Sequence, residues 1–187
     1  MNVGTVHDWL FDLGNTRLKF ARLQPDGQPG NVTAIVHDGR SLHVDALPRG
    51  RAAYVAGVVS GGLVDTLIEG LAARFDHVHP ATTLKECDGL SIAYDVPGRL
   101  GVDRFLAMLA ARRRTHAAVL VAGVGTAITG DLVDASGRHR GGRIAPSPAL
   151  MRDALVRRAP HLPAQGGHFV PFATATDDAL VSGCEGA

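Results

Sequence analysis

The segment after Phe11 carries side chains that could bind a nucleotide phosphate. An apolar run ends at Phe11, Asp12 follows it, and Gly14, Asn15 and Thr16 come next before apolar residues resume. A carboxylate at the end of a strand can hold hydrated Mg²⁺, and a glycine lets backbone N–H groups approach phosphate oxygens. Asparagine and threonine side chains add neutral donors. The pattern therefore predicts a hairpin that binds nucleotide phosphates.

A second segment has a similar pattern. The apolar residues 119–124 lead into Gly125 and Thr126, and polar residues follow. The repetition predicts a duplicated fold in which two similar turns bind one triphosphate. Each turn considered alone is also consistent with a purely structural β-hairpin, since Gly-Asn and Gly-Thr pairs often join two strands. Neither is a Walker loop, because no glycine precedes Lys-Ser or Lys-Thr, and Ile128 stands where a dinucleotide fingerprint needs its third glycine.

The composition indicates a globular protein with no electrostatic attraction to nucleic acid. The chain has 187 residues, 45% of them hydrophobic, and 19 basic residues balance 18 acidic ones. The one dense basic run, residues 112–114, suits the negative end of a helix dipole. We therefore expect no nucleic-acid partner.

The cysteines and the hydropathy pattern predict the compartment. Cys87 and Cys184 have no C-x-x-C spacing, so we expect plain thiols in a reducing interior. The sequence contains no run of 18 apolar residues and no secretion signal, which predicts a cytoplasmic protein without a membrane partner. The nine histidines are scattered without metal-ligand spacing, even at His77 and His79, and they receive no role.

The elements that position the candidate residues follow from periodicity and turn residues. Helical spacing of apolar residues predicts helices from Leu63 to about Arg74, from Asp103 through the three arginines, and through Leu150 to Val156. Apolar runs bounded by turn residues predict strands at Trp9–Phe11, Leu18–Leu23, Val32–His37, Ala53–Val59 and His77–His79, and a hairpin at Val119–Val133. Residues 85–99 indicate a surface loop. This order predicts an α/β fold with an N-terminal half at 1–97 and a C-terminal half at 98–187.

Four motifs and a fifth stretch occur in one order along the chain. The motifs are Asp12-Leu13-Gly14-Asn15-Thr16-Arg17-Leu18-Lys19, Tyr94 with Gly101-Val102-Asp103-Arg104, Gly125-Thr126-Ala127, and His139 through Pro146; the fifth stretch is Thr176 through Gly183. Together they resemble the type III pantothenate kinases of bacterial coenzyme A synthesis, the Bvg accessory factor family. The resemblance covers almost the whole chain. It implies the actin-like (ribonuclease H-like) ATPase fold, with two similar α/β halves and a second half that ends early.

The resemblance also implies an activity and its cofactors. Such kinases phosphorylate pantothenate to 4'-phosphopantothenate with ATP, the first step toward coenzyme A. ATP is expected on residues 12–19 and on Gly125 and Thr126, with Mg²⁺ held by Asp12 through water. Phosphoryl transfer needs mainly positioning and charge compensation, and these residue types supply both.

The acceptor side follows from the same resemblance. Pantothenate is expected to contact Tyr94, Gly101, Val102, Asp103, Arg104 and Thr176, the last of these at a homodimer interface. Asp103 is expected to accept the proton of the substrate hydroxyl. A helix start offers Asp103 a second role as a cap, and both roles can hold together because a helix N-terminus favours the ionised carboxylate. Considered alone, Arg104 would suit a solvated helix charge, and Tyr94 a core-packed loop residue.

Two departures from the family affect these expectations. Gly123 stands where the family has an aspartate for an activating K⁺ or NH₄⁺, so this chain should bind the ion through other oxygens or not require it. The chain also stops at Ala187, whereas the family continues. Both departures leave open an alternative, a non-catalytic homologue that acts as a transcriptional accessory factor, although the retained site residues argue against it. A different actin-like phosphotransferase or phosphatase would need another acceptor pocket, and the segment from Tyr94 to Arg104 favours pantothenate.

Overall fold

The chain divides into two compact units, Met1–Arg114 and Thr115–Ala187. The structure, a computed structural model, describes residues 7–57 and 62–186. The boundary between the two units places the helix Val102–Arg114 in the first unit. The division predicted from sequence, between residues 97 and 98, places this helix in the second half. That division stays a prediction.

The first unit is built on a five-stranded mixed sheet. Its strands are β1 (Trp9–Leu13), β2 (Arg17–Arg22), β3 (Thr33–Val36), β4 (Gly50–Gly57) and β5 (Phe75–Pro80), and they lie in the order β3-β2-β1-β4-β5. The first three strands pair antiparallel, and β4 pairs parallel with both β1 and β5. Between β4 and β5 the chain forms α1 (Leu63–Ala72), and after β5 come a small hairpin, β6 (Glu86–Cys87) and β7 (Leu90–Ser91), and then α2 (Val102–Arg114).

Alternation along β1 decides which face of this sheet can carry chemistry. Phe11 and Leu13 are buried in the core, whereas Leu10 and Asp12 point to the opposite face. The core face is covered by α1, whose buried residues are Leu63, Leu67 and Leu71. Asp12 therefore lies on the face away from α1.

The second unit begins with a three-stranded antiparallel sheet. Its strands are β8 (Val119–Val124), β9 (Ala127–Val133) and β10 (His139–Pro146), in the order β10-β9-β8, and α3 (Pro148–Arg158) and α4 (Thr176–Glu185) follow. The order matches β3-β2-β1 of the first unit. Each unit thus opens with an antiparallel meander whose first two strands are joined by a glycine turn, which is the duplication that the sequence predicts.

Local differences from the predicted elements are small. Residues 85–99, predicted to be irregular, contain the β6–β7 hairpin, because Asp88 (φ 49°) and Gly89 (φ 76°) take the left-handed conformations of a tight hairpin turn. The strand predicted at Ala53–Val59 begins at Gly50, and its residues 58–59 lie outside the described residues. Among the helices of the described ranges, none is long and apolar enough to cross a membrane.

Candidate active site

The first glycine turn, residues 14–16, joins β1 to β2. The N–H of Gly14 donates to the carbonyl oxygen of Arg17 over 3.0 Å, which closes the turn from within. The N–H of His37, the residue directly after β3, donates to the carbonyl oxygen of Thr16 over 3.2 Å. The turn is therefore fixed both by its own backbone and by the neighbouring strand.

Two charged side chains stand at the base of this turn. Asp12 and Lys19 are direct cross-strand partners, and Lys19 Nζ lies 3.5 Å from Asp12 Oδ2. Their side chains are 46% and 52% exposed, respectively. An exposed ion pair of this kind contributes little to stability. Both groups can therefore turn toward a ligand at small cost.

The acceptor motif begins at the first turn of α2. Oδ1 of Asp103 accepts the N–H of Arg104 over 2.8 Å, so the carboxylate stabilises the start of the helix. Arg104 is only 9% exposed, and its Nη1 lies 3.4 Å from the Tyr94 hydroxyl. The alternative of a solvated helix charge at Arg104 is therefore wrong, because the side chain is buried beside Tyr94.

A cavity of about 720 Å³ connects the two motifs of the first unit. Asp12 and Lys19 line it from the first hairpin, and Asp103 lines it from α2. The rest of its wall is largely apolar and includes Leu10, Phe20, Tyr54 and Leu106. The structure thus brings the two candidate carboxylates to the wall of one cavity.

The second glycine turn, residues 125–126, repeats the backbone bonds of the first. The N–H of Gly125 donates to the carbonyl oxygen of Ala127 over 3.0 Å. The N–H of Ser147, the residue directly after β10, donates to the carbonyl oxygen of Thr126 over 3.4 Å. The same scheme therefore holds each turn to the end of the third strand of its own meander.

The protein itself does not require glycine at either turn. Neither Gly14 nor Gly125 has a positive φ. A Cβ at position 14 would lie 3.6 Å from the carbonyl oxygen of Arg17, and one at position 125 would lie 3.9 Å from that of Ala127, both ordinary contacts. The absent side chains leave the backbone of both turns open to the approach of another group.

Position 123 does not fit a cation site built on its side chain. Gly123 pairs directly with Thr129 across the β8–β9 ladder. A Cβ at position 123 would lie only 2.6 Å from Thr129 Oγ1, so the threonine hydroxyl fills the space where a carboxylate side chain would begin. The implied K⁺ or NH₄⁺ site therefore lacks its side-chain ligand at this position, and a side chain there would require the Thr129 hydroxyl to move.

The carboxylate of Asp131 lies on the same face of β9, two residues beyond Thr129. Its side chain is 2% exposed, and Oδ1 lies 3.0 Å from Nε2 of the fully buried His139. This buried pair ties β9 to β10 and was not anticipated from the scattered histidines. Asp131 is thereby engaged in the interior of the sheet and does not replace a carboxylate at position 123.

Thr176, the last candidate residue, is the first residue of α4 in the second unit. Ala175 precedes it and offers no side-chain cap. The helix start predicted at this threonine is therefore confirmed. Contact of Thr176 with pantothenate stays a prediction.

Comparison with known proteins identifies the family. The sequence model of the type III pantothenate kinases matches residues 9–187. The chain belongs to the type III pantothenate kinase family. A type III pantothenate kinase of Stenotrophomonas maltophilia strain R551-3 is 51% identical over 185 residues, which are 97% of this chain and 75% of that protein. One from Xanthomonas axonopodis pv. citri strain 306 is 52% identical over the same shares. The predicted family is confirmed.

Solved structures place this type III pantothenate kinase chain in the expected fold. A conserved putative Baf family transcriptional activator from Campylobacter jejuni superposes with a TM-score of 0.59 at 19% identity, over 94% of this chain and 72% of that one. A putative 2-dehydro-3-deoxygalactonokinase from Sinorhizobium meliloti gives 0.50 at 14% identity, over 89% and 62%. These likenesses show the fold alone, and they confirm the predicted α/β, actin-like architecture.

Proposed function

We propose that this chain phosphorylates pantothenate to 4'-phosphopantothenate with ATP, the first step of coenzyme A biosynthesis. One observation carries the proposal beyond family membership: Asp12 of the phosphate hairpin and Asp103 of the acceptor motif line the same cavity. A kinase needs a nucleotide and an acceptor hydroxyl side by side, with a carboxylate at each.

The first glycine turn binds nucleotide phosphates in this proposal. The absent side chain of Gly14 leaves room for phosphate oxygens, and the side chains of Asn15 and Thr16 supply neutral donors. Binding of ATP at Gly125 and Thr126 stays a prediction. Arg17 and Lys19 add positive charge at the first turn, which offsets the charge of the phosphates. Leu13 and Leu18 are fully buried and fix the strands on either side.

Asp12 suits a magnesium ion that arrives with the nucleotide. The carboxylate is half-exposed and borders the cavity. Within the described ranges, no three His, Cys, Asp or Glu side chains are grouped closely enough to hold a metal by themselves. Mg²⁺ commonly uses one or two carboxylates and fills its other positions with water and phosphate. When bound, Mg²⁺ neutralises charge on the phosphates.

Asp103 orients the acceptor hydroxyl and receives its proton. Its Oδ1 already accepts the Arg104 N–H, which fixes the direction of the carboxylate. A carboxylate contributes mainly by aiming the hydroxyl at the phosphorus, because phosphoryl transfer depends chiefly on positioning. Gly101 and Val102 lead into this helix turn, and Tyr94 and the buried Arg104 supply a hydroxyl and a positive charge for the pantothenate carboxylate.

Assembly and location complete the proposal. We propose a homodimer in which Thr176 lies near the acceptor, as the resemblance implies, and light scattering of the purified protein tests it. The cytoplasmic location predicted from sequence stays a prediction. The accessory-factor alternative gains no support from the relatives from Stenotrophomonas maltophilia and Xanthomonas axonopodis, which are both named as kinases.

The decisive experiment measures pantothenate-dependent release of ADP from ATP and Mg²⁺, with the product weighed by mass spectrometry. We expect a product heavier than pantothenate by one phosphoryl group. ADP release that is indifferent to pantothenate would contradict the proposal. Absence of the product from a folded preparation that binds ATP would contradict it as well.

A further inference from the structure

His37 stands directly after β3 and makes two side-chain hydrogen bonds to backbone groups. Its Nε2 lies 2.9 Å from the carbonyl oxygen of Gly14, 23 residues earlier in the chain. Its Nδ1 lies 3.1 Å from the backbone nitrogen of Gly39. The half-buried ring therefore connects the first glycine turn to the loop that follows β3.

The second contact decides which ring nitrogen carries the proton. The N–H of Gly39 can only donate, so Nδ1 of His37 must accept and carries no hydrogen. A neutral imidazole then has its hydrogen on Nε2, where it donates to the Gly14 carbonyl oxygen. Both ends of the ring are thus matched to fixed backbone groups, and the ring has one orientation that satisfies both.

The backbone of His37 holds the other end of the same turn. Its N–H donates to the carbonyl oxygen of Thr16 over 3.2 Å. Residue 37 thus binds the first and the last residue of the turn at once. Ser147, at the matching place after β10, makes the corresponding backbone bond to Thr126, but its hydroxyl accepts the N–H of Leu150 and caps α3. At the first turn, the residue after the third strand thus adds a side-chain bond to the turn glycine, whereas the Ser147 side chain caps a helix.

We propose that His37 is a positioning residue for the first phosphate turn of this kinase. The inference rests on the proposed function of that turn. Gly14 has no side chain to pack, so the His37 ring fixes the direction of its peptide group from outside. Small misplacements of binding groups are costly in phosphoryl transfer, which depends on position more than on covalent chemistry. His37 acts through Gly14 and Thr16 and touches no reacting atom.

Two substitutions separate the contacts of the ring. A glutamine side chain reaches the position of Nε2, so His37→Gln keeps a donor for the Gly14 carbonyl. An asparagine side chain ends near Nδ1, so His37→Asn keeps only an acceptor for the Gly39 N–H. We expect His37→Asn and His37→Ala to raise the KM for ATP about tenfold while the KM for pantothenate stays within about twofold. We expect His37→Gln to stay near the wild type, and His77→Asn, at an exposed histidine of β5, serves as the control.

A readout without catalysis accompanies the kinetics. Hydrogen exchange of the peptide that spans residues 13–19 should speed up in His37→Asn and His37→Ala but not in His37→Gln. The inference is overturned if the Gln and Asn variants behave alike, or if both KM values rise together. A wild type that binds ATP without phosphorylating pantothenate would count against the proposed function, and the exchange pattern would still decide the role of His37.

Discussion

The two glycine turns share a backbone and differ in their side chains. In each turn the glycine N–H donates across the turn over 3.0 Å, and the residue after the third strand donates to the carbonyl oxygen of the turn threonine. Two residues before the glycine, however, the first hairpin has Asp12 and the second has Gly123. The duplicated backbone thus supports two chemistries, one turn with a carboxylate and one without.

The second hairpin does contain a carboxylate, that of Asp131, but it is buried in contact with a histidine. Asp131 is buried and bound to His139, whereas Asp12 is half-exposed and borders a cavity. A buried carboxylate with a hydrogen-bond partner stabilises its surroundings, and an exposed one beside a cavity remains available to a ligand. Of these two carboxylates, only that of the first unit is accessible to a ligand.

The largest effect is expected at Asp103, which shares the cavity with Asp12. Asp103→Asn keeps an acceptor for the Arg104 N–H and so keeps the helix start, but it cannot take a proton. We expect kcat to fall about 10²- to 10⁴-fold with little change in thermal midpoint. Steady-state kinetics measures this, with Asp76→Asn on the exposed face of β5 as the control. Retention of most of kcat would remove Asp103 from the mechanism.

A large loss of stability is expected at the buried pair of the second unit. Asp131→Ala removes the carboxylate that lies 3.0 Å from His139 Nε2, and we expect the free energy of unfolding to fall by about 1–3 kcal/mol. Urea denaturation measures the loss. Replacement of both residues by apolar ones should cost less than the sum of the single changes. Full additivity would mean that the two side chains do not interact.

Adding a carboxylate to the second turn tests the contrast directly. Gly123→Asp forces a Cβ against Thr129 Oγ1, and we expect it to cost about 1–3 kcal/mol of stability. Thr129→Ala removes the hydroxyl, so the double variant should recover at least about 0.5 kcal/mol by favourable coupling. Denaturant midpoints of the four proteins give the coupling.

The wild type in this set also tests whether a monovalent cation binds the folded protein. The wild-type midpoint should be equal in KCl and in tetramethylammonium chloride at matched concentration, since an ion that binds the folded state would raise it. Ala122→Asp in the Thr129→Ala background places the same charge on the other face of β8. It is therefore the control for the effect of added charge in the Gly123→Asp, Thr129→Ala double variant. A midpoint of the wild type that rises in KCl would show a cation site that position 123 does not explain.

The smallest effect is expected at two aspartates, Asp38 of the first unit and Asp134 of the second, whose pKa values are shifted in the same direction. The Ser136 hydroxyl, together with the Arg138 N–H, lowers the pKa of Asp134 below its usual 3.8. Backbone N–H groups of Arg40 and Ser41 lower the pKa of Asp38 in the same direction. A lowered pKa in the folded state contributes stability above pH 3.8, and this stability disappears as the pH falls through the lowered value.

We therefore expect Asp134→Asn and Asp38→Asn to be slightly less stable than the wild type at neutral pH, with the gap closing below about pH 4. Thermal midpoints across pH 2–7 measure the gap. A gap that widens in acid would contradict the direction of both shifts.

Both hairpins were predictable from sequence because their signals are local. Apolar runs on either side of a glycine turn predict each hairpin, and the first of these patterns singles out Asp12. Asp103 was singled out by the resemblance to the family. The contact of His37 with Gly14 carries no such signal, because it joins residues 23 apart and depends on the pairing of β2 with β3. The burial of Arg104 was missed for a similar reason, since a charged residue in a first helix turn usually faces water.

The Gly123–Thr129 contact required knowledge of strand register. Sequence shows that position 123 lacks a carboxylate, but only the direct pairing of Gly123 with Thr129 shows that another side chain fills the space. A shift of one residue in register would have turned Thr129 to the other face. The sequence thus shows that the carboxylate is absent, and only the strand register shows which side chain occupies its space.

Ser147 connects the second turn to the start of α3 through two hydrogen bonds. One residue binds the Thr126 carbonyl oxygen through its N–H and the Leu150 N–H through its hydroxyl. Because both contacts depend on Ser147, we expect order at the turn and order at the first turn of α3 to rise and fall together. A spectroscopic label on the surface of α3 would then respond to changes at the turn.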